Sequence, residues 1–289
     1  MKLRLALRLA LLLAFTAPLL HASPELDSAV ALYREKKFPE ARAALEKIAA
    51  AEPPSAAACY YLGMTLRLRG DATALDEAVP WLQKAVDLEP NNATYLADFG
   101  GTSMQFAQKN SSLSAANKGR DAMEKSLTIN PDNLDAREGL WRFYDGAPWP
   151  IGSSSKAAKQ LEEIRKRDPD RATVLNVIGK ANAKDFPAAF KLCDDALAKN
   201  PANYVALYQY GRTASVSGQN LERGIACLQQ CLALPPPGPA SPTHSHASFR
   251  IGTLHEQLNH PAEARAAYES ALQLDSANKQ AADALAKLK

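Results

Sequence analysis

The sequence predicts an all-α protein in which pairs of antiparallel helices stack side by side as a repeat array. Prolines punctuate the chain at intervals of 37, 41, 38, 32 and 35 residues, and Ser276 takes the same place 40 residues after the last of them. These prolines are Pro53, Pro90, Pro131, Pro169, Pro201 and Pro236. Apolar residues follow helical spacing within each interval, and no alternating apolar run is long enough for a strand. A period in the thirties with helical spacing is typical of a helical-repeat solenoid rather than of one globular core.

Small residues recur in phase within the units, and they explain how the two helices of each pair can pack. In one unit Gly63 lies in the first helix and Ala78 in the second, and near the C-terminus Gly252 and Ala264 hold the same places. Two helices approach to about 8–10 Å only where the side chains at their crossing are small. The pattern therefore predicts tight antiparallel pairs.

These small residues, together with a leucine or aromatic residue three places before a second alanine, resemble the tetratricopeptide repeat family. Leu82 and Ala85 show this spacing in one unit, and Tyr268 and Ala271 show it near the C-terminus. The resemblance covers nearly all of the chain after residue 23. It implies a right-handed α-solenoid whose first helices line a concave face, and a non-catalytic scaffold that binds other proteins.

Seven units of uneven quality follow one another, and we interpret them as a single domain, 23–289. Their ranges are 24–55, 56–92, 93–133, 134–170, 171–201, 204–237 and 245–278. The second, sixth and seventh units match the repeat pattern best, whereas the third and fourth contain long turns between their helices. Residues 279–289 add an amphipathic helix, which is expected to cap the last open apolar face.

Prolines inside the units predict where helices begin. Pro39, Pro187 and Pro261 are expected in the first turn of their helices, where the missing N–H is not needed. Pro80 is also interpreted as a first-turn residue, in a helix that starts slightly late.

The first 22 residues have a different character from the repeats. Lys2, Arg4 and Arg8 precede a run of about a dozen mainly apolar residues, and the segment ends at Ala22. This pattern predicts a signal peptide at 1–22, because the apolar run is shorter than the roughly 20 residues that cross a bilayer. Leu20, three places before cleavage, is larger than usual, so an uncleaved N-terminal anchor is the alternative. We expect an exported protein, periplasmic or secreted, with no membrane span in the mature chain.

The charge balance narrows the classes of partner. The chain has 34 basic and 31 acidic residues, and the first 22 residues hold three of the basic and none of the acidic ones. The remaining chain is therefore formally neutral, and no basic stripe with interleaved aromatic residues follows. These features argue against nucleic acid as a partner and against electrostatic binding to a membrane surface.

Four cysteines in an exported chain raise the question of disulfides. We interpret Cys193 and Cys231 as small apolar residues of the core, since free cysteine often fills such positions. A disulfide from Cys193 to Cys231, or from Cys193 to Cys227, is the alternative, because spacing alone does not fix the pairing.

The histidine pairs do not predict a metal site. His255 and His260 lie five residues apart, which is a rotation of about 500° on a helix, so their rings are expected to diverge. His244 and His246 are interpreted as part of a polar helix start without a third ligand. We therefore predict no metal, no cofactor and no enzymatic activity.

The first helices are expected to supply the functional surface. Placing each of them by its small residue predicts a groove lining of Tyr33, Tyr60, Met64, Arg67, Met104, Glu138, Arg142, Tyr208, Arg212 and Phe249. Aromatic residues and arginine contribute most to protein binding. Relatives that grip a C-terminal carboxylate use lysine and asparagine, whereas the corresponding places hold Tyr60, Met64, Ala97 and Gly101. A carboxylate clamp is therefore not predicted.

The sequence thus predicts a non-catalytic adaptor of the cell envelope that holds a peptide segment or a helix of another protein. Two alternatives stay open. The first is an enzyme, or a subunit of one, with a site near His255 or the loop around Trp149. The second is a structural component that associates with copies of itself through its end faces.

Overall fold

The structure is a computed structural model that describes residues 23–146, 151–237 and 241–288. Throughout these residues it contains 15 α-helices and no strand. The first helices of successive pairs are α1 (Pro24–Arg34), α3 (Ala56–Leu68), α5 (Ala93–Asn110), α7 (Leu134–Gly146), α9 (Pro169–Asn182), α11 (Tyr204–Ser217) and α13 (His244–Gln257). The second helices are α2 (Phe38–Ala49), α4 (Ala74–Leu88), α6 (Leu113–Ile129), α8 (Ser154–Arg167), α10 (Phe186–Lys199), α12 (Leu221–Leu232) and α14 (Pro261–Leu274), and α15 (Lys279–Lys287) follows.

The predicted fold class, an all-α helical-repeat solenoid, is confirmed by this succession of helices. The chain divides into two compact units, with the division between Ala116 and Asn117 inside α6. We call them the N-terminal unit and the C-terminal unit.

Polar side chains at the helix starts explain why the helices begin where they do. Ser55, Asn92, Asp168 and Asn203 each precede a first helix and accept a hydrogen bond from a backbone N–H in its first turn. Without such acceptors the first N–H groups of a helix have no partner. The short polar segments between the repeats thus set the register of the first helices.

The prolines behave as predicted at three helix starts and differently at a fourth. Pro39, Pro187 and Pro261 lie in the first turns of α2, α10 and α14. The prediction for Pro80 is wrong, because α4 begins at Ala74 and Pro80 lies inside it. The extra turn of helix before Pro80 is tolerated although its ring nitrogen cannot donate to the carbonyl four residues earlier.

Glycines in the first helices let a large side chain of the second helix approach the backbone. A Cβ added to Gly63 would lie 2.7 Å from Leu82 Cγ, and one added to Gly211 would lie 2.3 Å from Leu228 Cγ. In the last pair Gly252 faces the Tyr268 ring in the same way. These contacts explain the small residues that recur in the sequence, and they fix the position of each first helix against its partner.

Helix α15 is attached to the last pair through buried polar groups. Asn278 precedes α15, accepts from the backbone N–H of Ala281 and donates its amide to Ser245 Oγ at 2.8 Å. Ser245 donates in turn to the carbonyl oxygen of Ala271 at 2.8 Å. The start of α15 is thereby linked to both helices of the preceding pair, and Ala281 is fully buried.

Candidate functional site

The first helices of the C-terminal unit enclose a groove with a volume of about 630 Å³. It lies between α7, α9 and α11, and Pro237, Ser241 and Pro242 border it on one side. Its lining consists of Asp135, Glu138, Arg142, Asp168, Asp170, Arg171, Val174, Leu175, Val205, Gln209, Pro237, Ser241 and Pro242. Apolar side chains at the floor and charges at the edges give the groove the composition of a binding surface.

At the α7–α9 edge of the groove the charges are paired with one another. Arg171 donates through Nε to Glu138 at 2.7 Å and through Nη2 to Asp135 at 2.6 Å. Arg142 donates to the other oxygen of Glu138 at 2.7 Å. Burial would lower the pKa of Arg171, but the bonds to Asp135 and Glu138 outweigh it and raise that pKa. This edge is electrostatically satisfied within the protein.

Helices α11 and α13 lie side by side in a register that two hydrogen bonds define. The Tyr204 hydroxyl donates to the carbonyl of Pro242 at 2.6 Å, and Gln257 Nε2 donates to the carbonyl of Ser215 at 2.7 Å. Both first helices run in the same direction because an antiparallel α12 connects them. Arg250, in the middle of α13, therefore lies alongside Arg212 in the middle of α11.

The charges at the α11–α13 edge are not paired. Arg212 is half-buried, and within the described residues its guanidinium has no hydrogen bond and no ion pair. Its pKa is lowered by burial and by the positive charges of Arg250 and Arg142. Arg250 holds its guanidinium 5.4 Å from the centre of the Phe249 ring, and its buried Nε has no hydrogen-bond partner.

Gln209 adds an unsatisfied polar group to the same face of α11. It precedes Arg212 by three residues, so the two side chains are neighbours on the helix surface. Gln209 lines the groove and is only 4% exposed. Its acceptor atom Oε1 is buried and has no hydrogen-bond partner within the part of the chain that the structure describes. Buried polar side chains in folded proteins are normally hydrogen-bonded.

In the N-terminal unit the corresponding surface is aromatic rather than charged. The rings of Tyr60 and Tyr95 stack with centroids 4.4 Å apart, and Tyr61 meets both Tyr33 and Tyr60 edge to face. The Tyr60 hydroxyl donates to Asp98 at 2.7 Å. Burial and this carboxylate raise the pKa of Tyr60. A tyrosine surface therefore connects the first helices α1, α3 and α5.

The structure assigns different environments to the predicted lining residues of this unit. Tyr60 and Met64 are buried, whereas Tyr33 and Met104 are half-buried. Arg67 is half-buried and donates to Thr102 at a long 3.5 Å. Their role in binding stays a prediction.

In the C-terminal unit two of the predicted residues, Glu138 and Arg142, line the groove. Tyr208 is buried, and Arg212 is half-buried next to Gln209. Phe249 packs towards α14, with its ring 5.8 Å from that of Tyr268. Binding by these residues stays a prediction too.

Sequence reasoning missed three groups that the structure brings to this face: Arg171, Gln209 and Arg250. Arg171 belongs to the fifth unit, in whose first half the small and aromatic residues of the repeat pattern are not clear, and the predicted lining therefore includes no residue of that helix. Gln209 directly follows the predicted residue Tyr208, and Arg250 directly follows the predicted residue Phe249. The hydrogen bonds that fix the helix register could not be read from spacing.

The four cysteines are free, buried thiols. Cys193, Cys227 and Cys231 belong to the core of the C-terminal unit, and the disulfide alternatives from Cys193 to Cys231 and to Cys227 stay predictions. Cys193 and Cys231 are fully buried. Burial raises the pKa of Cys193 to about 12 and that of Cys231 to about 11, so both are held as unreactive thiols.

The expectation that His255 and His260 diverge is wrong. Their ring centroids lie 5.9 Å apart, because α13 ends at Gln257 and the turn brings His260 back towards the helix. Within the described residues no group of three or more metal-ligating side chains is present.

His244 and His246 do form a polar helix start. His246 and Thr243 make a reciprocal cap at the beginning of α13, and His244 Nε2 lies 2.8 Å from the carbonyl oxygen of Leu234. Two other predicted features, the signal peptide at 1–22 and the loop at Trp149, lie outside the described residues. Among the helices that the structure describes, none has the length and apolar character needed to span a bilayer.

Comparison with known proteins places the chain in a family. The tetratricopeptide repeat matches residues 26–93 and 151–204, and a second form of the same repeat matches 245–278, so that the matches cover more than half of the chain. The chain therefore belongs to the tetratricopeptide repeat family. No curated protein matches the sequence.

Solved structures agree with this fold. A tetratricopeptide repeat protein from Parabacteroides merdae is similar over 91% of this chain and 96% of its own, with a TM-score of 0.61 and 13% identity. Yeast Tom70 is similar over 91% of this chain and 53% of its own, with a TM-score of 0.63 and 16% identity. At these identities the likeness concerns the fold alone. Membership in the family indicates a protein–protein interaction scaffold, a class that is generally non-catalytic.

Proposed function

We propose that this chain is a non-catalytic adaptor that holds a segment or a helix of another protein in the groove of its C-terminal unit. The observation that carries the proposal is the groove between α7, α9 and α11, with a volume of about 630 Å³. Its apolar floor includes Val174 and Val205, and its edge carries the buried, unpartnered Gln209. A preformed cleft with apolar walls and a few polar groups is the usual form of a binding site.

We further propose that the adaptor acts in the cell envelope after export. The charged start, short apolar run and small final residue of 1–22 support this proposal. Cleavage after Ala22 would leave α1 its cap, because Ser23 Oγ accepts from the backbone N–H of Leu26 at 3.2 Å. Fusion of residues 1–22 to a reporter that is active only outside the cytoplasm tests export. An inactive reporter would contradict it.

Site-specific photocrosslinking tests partner binding. A photoreactive phenylalanine analogue replaces Val174 or Val205 in the groove, and matched controls replace Lys191 or Glu269, which are exposed on α10 and α14. In cells that naturally contain the protein, the groove positions should capture a defined partner that mass spectrometry identifies. Equal capture at the control positions, or none in the groove, would refute the proposal.

A further inference from the structure

The lining of the groove carries more negative than positive charge. Four of its residues are acidic and two are basic. The acidic residues are Asp135, Glu138, Asp168 and Asp170, and the basic residues are Arg142 and Arg171. The lining therefore holds two more negative than positive charges. A cleft with an excess of one sign of charge attracts groups of the opposite sign.

The excess lies at the start of α9. The ion pairs described above involve Asp135 and Glu138, whereas Asp168 and Asp170 form no ion pair within the described ranges. Asp168 Oδ1 accepts from a backbone N–H in the first turn of α9 at 2.8 Å, and Asp170 Oδ1 accepts from the Asn203 amide at 3.1 Å. Both donors are uncharged, and the positive end of the α9 dipole offsets only about half a charge. The start of α9 thus stays negative on the side that faces α11.

Gln209 shows that the groove also lacks a hydrogen-bond donor. The side chain lines the groove and is only 4% exposed, and its Oε1 is buried without a partner. Because this oxygen can only accept, a group that completes its hydrogen bonding must bring an N–H or O–H. Gln209 follows Asn203 by six residues, about 9 Å along the axis of α11, and helix side chains lean towards the N-terminus. The unsatisfied acceptor therefore leans towards the negative end of the groove.

We propose that the groove binds an arginine or lysine side chain of the partner segment, with its charge at Asp168 and Asp170 and one N–H donated to Gln209 Oε1. The proposal rests on the proposed function, because the segment would lie in the same groove. Arginine and lysine carry several N–H donors and no acceptor, so one side chain can supply both contacts. Their apolar stems can pack on Val174 and Val205 of the floor.

The arginines of the protein limit where the basic residue can lie. Arg212 follows Gln209 by one turn in the direction away from the start of α11, and it is not among the described lining residues. Arg142 lines the groove but is paired with Glu138. A cation is therefore repelled from that end and attracted to the start of α9. We expect one or two basic residues there, and apolar or neutral residues along the rest of the floor.

Selection from a random dodecapeptide library on the wild-type chain tests the proposal. Recovered peptides should be enriched in Arg or Lys relative to the input library, and Gln in place of the recurrent basic residue should weaken binding about fivefold or more. Asp168→Asn/Asp170→Asn should weaken binding of the unchanged peptide to a similar extent. Asparagine keeps the accepting oxygen and caps helices well, so the variant loses charge alone. The matched control is Asp195→Asn/Asp283→Asn, which removes the same charge from exposed pairs on α10 and α15 and should change affinity less than about twofold.

Gln209→Leu distinguishes binding from a structural role. The variant should bind a recovered peptide about threefold or more weakly, while its melting temperature should stay the same or rise, because a buried acceptor without a partner is removed. A lower melting temperature together with weaker binding would mean that Gln209 supports helix packing and is not part of the site. Melting curves also establish that the aspartate variants fold, and Asp170→Asn alone, which leaves the cap of α9 unchanged, should show part of the same loss of affinity.

The outcomes separate this inference from the proposed function. Recovered peptides without enrichment in Arg or Lys, or equal binding by the two double variants, would overturn the basic-residue site and leave groove binding intact. If the library yields no peptide, the crosslinking from position 205 is repeated in both double variants. A lower yield in Asp168→Asn/Asp170→Asn alone supports the site, and equal yields overturn it. The absence of any groove crosslink overturns both proposals.

Discussion

Arg171 and Arg212 lie on successive first helices of the same unit, and their surroundings are opposite. Arg171 on α9 donates to Asp135 and Glu138, and its pKa is raised. The guanidinium of Arg212 on α11 has no carboxylate partner among the described residues, and its pKa is lowered, by burial first and then by the positive charges of Arg250 and Arg142. Both side chains are half-buried. The difference teaches that two half-buried arginines on neighbouring first helices can be treated oppositely: one is paired with carboxylates of the preceding first helix, and the other has no counter-ion among the described residues.

The largest expected effect comes from displacing the helix that carries Arg212. Gly211→Leu should lower the free energy of unfolding by about 1–3 kcal/mol, because a side chain there collides with Leu228. It should also disturb the arginine edge while leaving Arg171 paired. Denaturant melting measures the change. Gly101→Leu is the control, since a Cβ at Gly101 meets nothing within 4 Å; similar losses in both variants would disprove the packing assignment.

Removing the paired arginine is expected to have a smaller cost. Arg171→Met should lower the free energy of unfolding by about 1–2 kcal/mol, because Asp135 and Glu138 lose charged hydrogen bonds. Arg165→Met, which breaks an exposed pair with Glu162, is the control and should cost less than about 0.5 kcal/mol. If both variants lost the same free energy of unfolding, the pairing of Arg171 with Asp135 and Glu138 would not contribute to stability.

Methionine in place of the unpaired Arg212 should stabilise the chain, whereas methionine in place of Arg171 should destabilise it. Arg212→Met should raise the free energy of unfolding of the unbound chain by about 0.5–1 kcal/mol, since a charge without a counter-ion is replaced by an apolar side chain. Equilibrium unfolding of both methionine variants in one buffer measures the contrast. If Arg212→Met lowered the free energy of unfolding as much as Arg171→Met, the two arginines would not differ in their contribution to stability.

The smallest expected effect is that of salt concentration on the melting-temperature difference between the wild-type chain and Arg212→Met. Repulsion among Arg142, Arg212 and Arg250 is partly screened, so the melting-temperature gap between wild type and Arg212→Met should narrow from about 0.01 M to 1 M salt. The gap for Gly211→Leu should stay nearly constant, because overpacking is not electrostatic. If the melting-temperature difference for Arg212→Met did not change with salt, the loss of charge repulsion would not be the cause of the higher stability of this variant.

The fold could be predicted from the sequence because its determinants are local and recur. Gly63, Gly211 and Gly252 repeat at the helix crossings, and each is explained by one large side chain of the partner helix. Pro80 was misplaced because α4 tolerates an internal proline that local preference disfavours.

The candidate site was only partly predictable, for a physical reason. Glu138, Arg142 and Arg212 follow from the repeat register, but whether a charge is paired depends on neighbouring helices. Arg171 follows Glu138 by 33 residues, one repeat further along the chain, and only the folded register brings the two together. The approach of His255 to His260 was likewise missed because it depends on a turn rather than on helical rotation.

The hydrogen bonds that attach α15 to the last helix pair affect how a second copy of the chain could dock on that pair. Asn278, which precedes α15, donates to Ser245, and Ser245 donates to the Ala271 carbonyl, so that α15 is held on the side of α14 where a further hairpin would dock. A second copy approaching this side would have to peel α15 away and leave the Asn278 and Ser245 groups without partners. End-to-end association through this face would thus cost the free energy of these two buried hydrogen bonds.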